Sequence, residues 1–192
     1  VFPPDVTSTA ASALTDVTAV TGGDITYLGD SAVTARGVVY FITADNADLF
    51  IGGANVTQTL ALGDPNAAGV FSVNLSGLNP ATAYSFKAFA TNTAGTTYGA
   101  VPTLNTLIKP TIIDPTSASI DDNSATLGGN VTDDGLSTIT DRGVVISPTL
   151  ANGDPVIGGA NVTVWSTMGT TGTYTVNVTG LTPGTGYSFK AY

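Results

Sequence analysis

The sequence predicts an all-β protein built as two β-sandwich domains in tandem, residues 1–107 and 108–192, with the second lacking its last strand. Three observations lead there. Arg-Gly-Val-Val at Arg36 returns at Arg142, and Ile-Gly-Gly-Ala-Asn-Val-Thr at Ile51 returns at Ile157, so the repeating unit is a whole small domain. Stretches such as "VFSVNLSGL", "TYTVNVTGL" and "AYSFKAFAT" alternate apolar and polar residues with the period of a half-buried strand. Gly, Pro, Asn and Asp clusters punctuate these runs at short spacing, and no stretch has the period of an amphipathic helix.

Taken in order, the first copy predicts strands over 4–13, 16–26, 33–42, 56–62, 69–75, 82–91 and 96–104. The second predicts 111–120, 124–132, 138–146, 162–168, 172–178 and 185–192. "GDPNAAG" in one copy becomes "GTTG" in the other, the kind of length change a surface loop tolerates. Lys109 and Pro110 join the copies. After Tyr84 the first copy runs on through "ATNTAGTTYGAVPTLNTL", whereas the sequence after Tyr187 reaches only Tyr192, which leaves a sheet edge unpaired.

Composition sets the chemical limits. The chain has 192 residues, 42% of them hydrophobic, enough for one large core or two small ones. Charged residues are only 10%, against roughly 25% in an average domain, so Thr, Ser, Asn and Gly must keep the surface wet, as in secreted or cell-surface β modules. A net charge of -9 with five Lys and Arg argues against nucleic acid and against an anionic membrane surface. Without cysteine or histidine the chain has no disulfide, no thiolate, no Ser-His-Asp triad and little scope for zinc, so no enzyme is expected. No apolar run approaches the ~20 residues of a membrane helix, and no membrane insertion is expected.

"NLSGLNPATAYSFKAFATNTAGTTYG" resembles the carboxy-terminal half of fibronectin type III and bacterial immunoglobulin-like modules. In those modules a Gly-Leu-x-Pro-x-Thr-x-Tyr turn leads into the penultimate strand, and an Asn-x-x-Gly hairpin leads into the last. The second copy keeps Gly180, Leu181, Pro183, Thr185 and Tyr187. The resemblance implies two immunoglobulin-like (fibronectin type III-like) sandwiches, with Tyr84 and Tyr187 in tyrosine corners. The family's usual early tryptophan is missing, Trp165 lying in a mid-domain strand, and there is no Arg-Gly-Asp tripeptide.

The unpaired edge suggests how the protein is used. An acceptor edge at Tyr187, Phe189, Ala191 and Tyr192 needs a strand, and the N-terminal stretch is the expected donor, with Val1, Phe2, Val6 and Ala10 entering the groove and Phe2, Val6 and Ala10 sharing a face. The expected partners are then copies of the chain itself in an extracellular, head-to-tail filament. The alternatives are a fragment of a long repetitive cell-surface adhesin or stalk, and a carbohydrate-binding accessory module. Sequons at Asn55, Asn74, Asn130, Asn161 and Asn177 permit N-linked glycans. No cofactor is expected, although the acidic turns at 121–124 and 132–135 offer oxygen ligands to calcium. Arg36 and Arg142 are expected to be held by a local carboxylate or carbonyl, with Lys87 and Lys190 facing outward.

Overall fold

A computed structural model describes residues 1–45 and 49–192. The chain divides into two units, Val1–Ile108 and Lys109–Tyr192, and among the described residues every element is a strand and no α-helix forms.

In the first unit β1 (Asp5–Ser12), β2 (Thr18–Tyr27) and β5 (Gly69–Ser76) make one antiparallel sheet in the order β1-β2-β5. The facing sheet has the order β4-β3-β6-β7, from β3 (Ala35–Ile42), β4 (Thr57–Leu60), β6 (Ala83–Asn92) and β7 (Gly95–Tyr98). A short β8 (Thr103–Asn105) pairs with the early part of β6. Period-two alternation in β5 sends Phe71, Val73 and Leu75 inward, into one core with Ile25 of the same sheet and Val38, Phe86 and Ala88 of the facing sheet. Strand β6 is buried on both faces, because Phe89 joins Val39, Phe41 and Leu49 in a second cluster outside the sheet.

The second unit repeats this plan with fewer strands. β9 (Thr111–Ala118), β10 (Ser124–Asp133) and β13 (Gly172–Thr179) form a sheet in the order β13-β10-β9. β11 (Arg142–Pro148), β12 (Thr163–Thr167) and β14 (Tyr187–Ala191) form its partner in the order β12-β11-β14. Ala125, Leu127, Val144, Ile146, Val176 and Val178 make the core. Gly128 is required where β10 passes β13, since a Cβ there would sit 2.1 Å from the Tyr174 carbonyl oxygen; Gly22 faces the same limit at Phe71, at 2.0 Å.

Two strand expectations need correction. The stretch 96–104 is not one strand but two, β7 and β8, because the chain between Gly99 and Pro102, which still bond to β6, bulges toward β1. There the Ser8 hydroxyl donates to the Ala100 carbonyl (2.6 Å), and a Cβ on Gly99 would lie 2.5 Å from the Ser8 nitrogen. The difference between the units is therefore eight strands against six, not seven against six. Strand β11 begins at Arg142 rather than 138, after a turn in which the Asp133 and Asp134 carboxylates accept from the Gly135 and Leu136 N–H groups.

Candidate functional site: an open groove beside the last strand

The first unit shows how this sandwich is closed. β8 runs antiparallel to β6, with Tyr84 opposite Leu104 and Ser85 opposite Thr103. The Phe86 N–H donates to Pro102 O (3.1 Å), and the Thr106 N–H donates to Thr82 O (3.1 Å). Leu104 and Thr106 both point inward; Thr106 is fully buried. Its hydroxyl accepts from the Thr82 N–H (2.9 Å) and donates to Asn79 O (2.6 Å), tying the closing strand to the turn before β6. The next residue, Leu107, donates to Thr15 O (2.9 Å), which anchors the segment to the turn between β1 and β2.

In the second unit the same positions are open. β14 pairs with β11 along one edge, from Pro148–Tyr187 to Val144–Ala191, and Tyr192 and Gly143 exchange both backbone hydrogen bonds. Among the described residues no strand pairs with the other edge. Alternation places the Phe189 N–H on that free edge, as Phe86 N–H faces β8 in the first unit. Tyr187 and Phe189 are only half-buried, whereas Tyr84 and Phe86 are 5% and 0% exposed. Beside them lies a groove of about 400 Å³ whose walls include Ala125, Leu127, Ile146, Leu181, Tyr187 and Phe189. Ile120 stands at its rim 71% exposed, while the corresponding Leu14 packs on its own core. The groove floor is apolar, and its rim carries Asp121 and Asp122.

The turn at the groove is held by the tyrosine corner that the resemblance implied. Tyr187 Oη accepts from the Thr182 N–H (3.0 Å), as Tyr84 Oη accepts from Asn79 N–H (2.9 Å). That donated hydrogen bond favours the phenolate and draws the Tyr187 pKa below its ordinary value. Tyr174 closes the far end of β14, its hydroxyl donating toward Gly143 O (2.7 Å) and Tyr192 O (3.0 Å). Burial raises its pKa against the pull of the Arg142 guanidinium over its ring. Burial, then the Asp141 carboxylate that accepts from its hydroxyl (3.0 Å), likewise raises Tyr192.

Of the expected acceptor residues, the structure brings Tyr187 and Phe189 into the groove and puts Ala191 and Tyr192 at the end of β14, where Tyr192 is anchored to Gly143 and Asp141. The expected donor is engaged elsewhere. Residues 5–12 form β1, paired to β2, and Val6 is part of the core of the first unit. Phe2 lies ahead of the strand, its N–H donating to Asp30 (2.9 Å) and its carbonyl accepting from Asp30 N–H and Asn92. Val1 and Phe2 are exposed, and the Val1 amine lies 3.7 Å from the Asp30 carboxylate. The expectation that Phe2, Val6 and Ala10 share a face is corrected, because an irregularity between Thr9 and Ser12 turns Ala10 outward and Ala11 onto the core.

The remaining candidates are dispersed. Asn55 and Asn161 occupy exposed turns with positive φ, Asn74 and Asn177 face outward on β5 and β13, and Asn130 is half-buried on β10. Asp121 and Asp122 lie at the groove, and Asp133 and Asp134 cap a turn; among the described residues no three acidic side chains gather around a metal position. Arg36 donates to Ala67 O (2.7 Å) and stacks over Phe71, and Arg142 donates to Thr170 O (2.5 Å) over Tyr174. Lys87 lies over the Tyr98 ring, and Lys190 pairs with Asp154. Sequence reasoning missed Thr106 and its partners in the turn. The signal was present as an apolar-x-Thr spacing in "TLNT", but nothing in the second copy was there to align with it.

No known family model matches the chain, and no curated protein matches it. Solved structures are similar to it at low identity. The sensor domain of the anti-sigma factor RsgI4 of Pseudobacteroides cellulosolvens is 19% identical over 55% of this chain and 96% of its own, with a TM-score of 0.41. A segment of two fibronectin type III domains from chicken tenascin is 16% identical over 99% of this chain and 90% of its own, with a TM-score of 0.36. Each unit is an immunoglobulin-like, fibronectin type III-like sandwich, as its own strand order and tyrosine corner establish.

Proposed function

We propose that the chain is a structural, non-enzymatic subunit of an extracellular fibre, in which a strand from a neighbouring copy completes the second sandwich. The observation that carries this is the apolar groove beside β14, at the place that β8 fills in the first unit. Backbone N–H groups on a free edge next to half-covered aromatic rings form an acceptor for β-augmentation. Burying three or four apolar side chains contributes about 5–12 kcal/mol before ordering costs of roughly 1–2 kcal/mol per residue, so the donor must be anchored by a folded body behind it. The Thr- and Asn-rich, weakly charged composition supports a secreted surface location, and the absence of His and Cys fits a structural role. Residues 1–14 remain the proposed donor. Val6-Thr7-Ser8 repeats the apolar-x-hydroxyl spacing of Leu104-Asn105-Thr106, and donation requires β1 to leave its own sheet and be exchanged between copies.

The pairing of β1 with β2 favours one competing role, that of a module in a longer repetitive surface protein whose own downstream residues fill the groove. Electron microscopy of the native material, together with the intact mass of the native polypeptide, separates the two. Fibres built from a polypeptide of this length support the subunit. A longer polypeptide carrying a further closing strand, with no fibres, overturns it.

A further inference from the structure

We infer that the cleft between β4 and β5 of the first unit binds a small amphiphilic carboxylate, with Arg36 as the cation that receives its head. β4 and β5 are the terminal strands of their respective sheets, so the sandwich is open along this side. The opening is a cleft of about 490 Å³, within the size range of small-ligand sites, and Arg36 lies among the residues that line it. Leu60, Leu62 and Val70 stand at its mouth 56%, 92% and 74% exposed, and Thr59 and Ser72 add polar wall.

Arg36 is only 8% exposed, yet its charge is not compensated. Its Nη1 donates to a neutral carbonyl, Ala67 O, at 2.7 Å, the guanidinium lies 5.2 Å from the centre of the Phe71 ring, and Nε is buried without a partner. Among the described residues no carboxylate pairs with it. A cation withdrawn from water without an anion is costly, and the less polar surroundings strengthen its attraction for one. A carboxylate entering the cleft supplies the missing charge while its apolar body covers Leu60, Leu62 and Val70. One cation in a chain of net charge -9 matches a monoanion better than a phosphate, whose second charge would have no partner. The guanidinium recurs in the second unit, where Arg142 lies over the Tyr174 ring with its own Nε buried and unpartnered. There the shorter "GTTG" loop rests on the guanidinium itself: Nη1 donates to Thr170 O, and a Cβ on Gly169 would lie 2.1 Å from Nη2. The longer loop of the first unit holds Arg36 through Ala67 O and leaves Leu62 and Val70 to form the rim.

Titration of the intact 192-residue chain with sodium octanoate, followed by amide NMR, tests this. Octanoate should bind one to one, shift the amides of β4 and β5, and raise the urea midpoint of the first unit. Octanol, with the same body and no charge, should bind at least about 10-fold more weakly, the loss expected for a charge-assisted hydrogen bond. Arg36→Met, which keeps an apolar side chain over Phe71, should bind octanoate no better than octanol. Leu62→Glu, at the exposed mouth, should weaken octanoate by about 10-fold while the free protein keeps its urea midpoint, and Arg142→Met should leave octanoate binding unchanged. Octanol binding as tightly as octanoate, a Leu62→Glu protein that binds like the parent, or no shifts in β4 and β5 overturns the inference. Binding of the capped peptide acetyl-Val-Glu-Val-amide without binding of octanoate overturns it too, since the cleft would then dock a polypeptide instead of a small acid.

Discussion

Replacing Thr106 with valine should destabilise the first unit and leave the second untouched. The two side chains have almost the same volume, so the core around position 106 keeps its shape. What disappears is a hydroxyl on a fully buried residue that accepts from Thr82 N–H and donates to Asn79 O. A polar group left without its partner costs about 1–3 kcal/mol when buried. Thr82 is half-buried and Asn79 exposed, so water recovers part of the loss, and the sum falls near 2–3 kcal/mol. With a urea slope of about 1.5 kcal/mol per molar, the midpoint should drop by about 1.3–2 M. The chain supplies its own control. Its single tryptophan, Trp165, is in β12, so fluorescence follows the second unit while far-UV circular dichroism follows both. Only the dichroism transition of the first unit should move. A Thr106→Val protein within about 0.5 kcal/mol of the parent would refute the bridging role of the hydroxyl, and a shifted Trp165 transition would refute the independence of the units.

Three further outcomes are expected. Gly128→Ala should cost about 3 kcal/mol or more, because its Cβ would meet a backbone carbonyl at 2.1 Å; loss of the folded Trp165 emission at low urea reports it. Tyr84→Phe should cost about 1–2 kcal/mol by urea titration, since Asn79 N–H loses its acceptor at a buried ring, and Tyr187→Phe, whose hydroxyl is open to water, should cost less. Alkali should weaken the second unit through Tyr174: its folded pKa lies above the ordinary 10.0, so its contribution is complete below that value and lost as pH rises through the folded pKa. The Trp165 urea midpoint measured from neutral pH to above 10 should fall, and Tyr174→Phe should flatten the curve.

How much of this was legible beforehand follows from where the signal is local. Phe71, Val73 and Leu75 alternate with Ser72 and Asn74, so period two alone identified β5 and its inward face. The tyrosine corners were legible because the turn and its tyrosine lie within a few residues of each other. The break between β7 and β8 was not legible, since it depends on Ser8 meeting Ala100 across more than ninety residues. The fate of the N-terminal stretch failed for a related reason. Val6, Thr7 and Ser8 read equally well as a strand for any open edge, and only the packing of Val6 against its own core decides which edge holds it. The groove itself was anticipated from the unequal strand count, but the part of Thr106 in closing it required seeing which backbone groups the hydroxyl spans.

Within the first unit the chain enters beside Asp30 and Asn92, where Phe2 is tied, and leaves beside Thr15 and Ala81, where Leu107 is tied. These are opposite poles of the sandwich: β1 runs lengthwise from the first to the second against β2, and the short β8 lies against the start of β6 at the second, each beside an antiparallel neighbour. Tension applied through the backbone would therefore slide both strands along their partners, straining many ladder bonds simultaneously instead of peeling them singly. Rupture under load then depends on the height of the unfolding barrier rather than on equilibrium stability. A joint made by inserting a strand beside β14 in the β8 orientation would inherit the same shear-resistant geometry, transmitting pull from one molecule to the next without a covalent link.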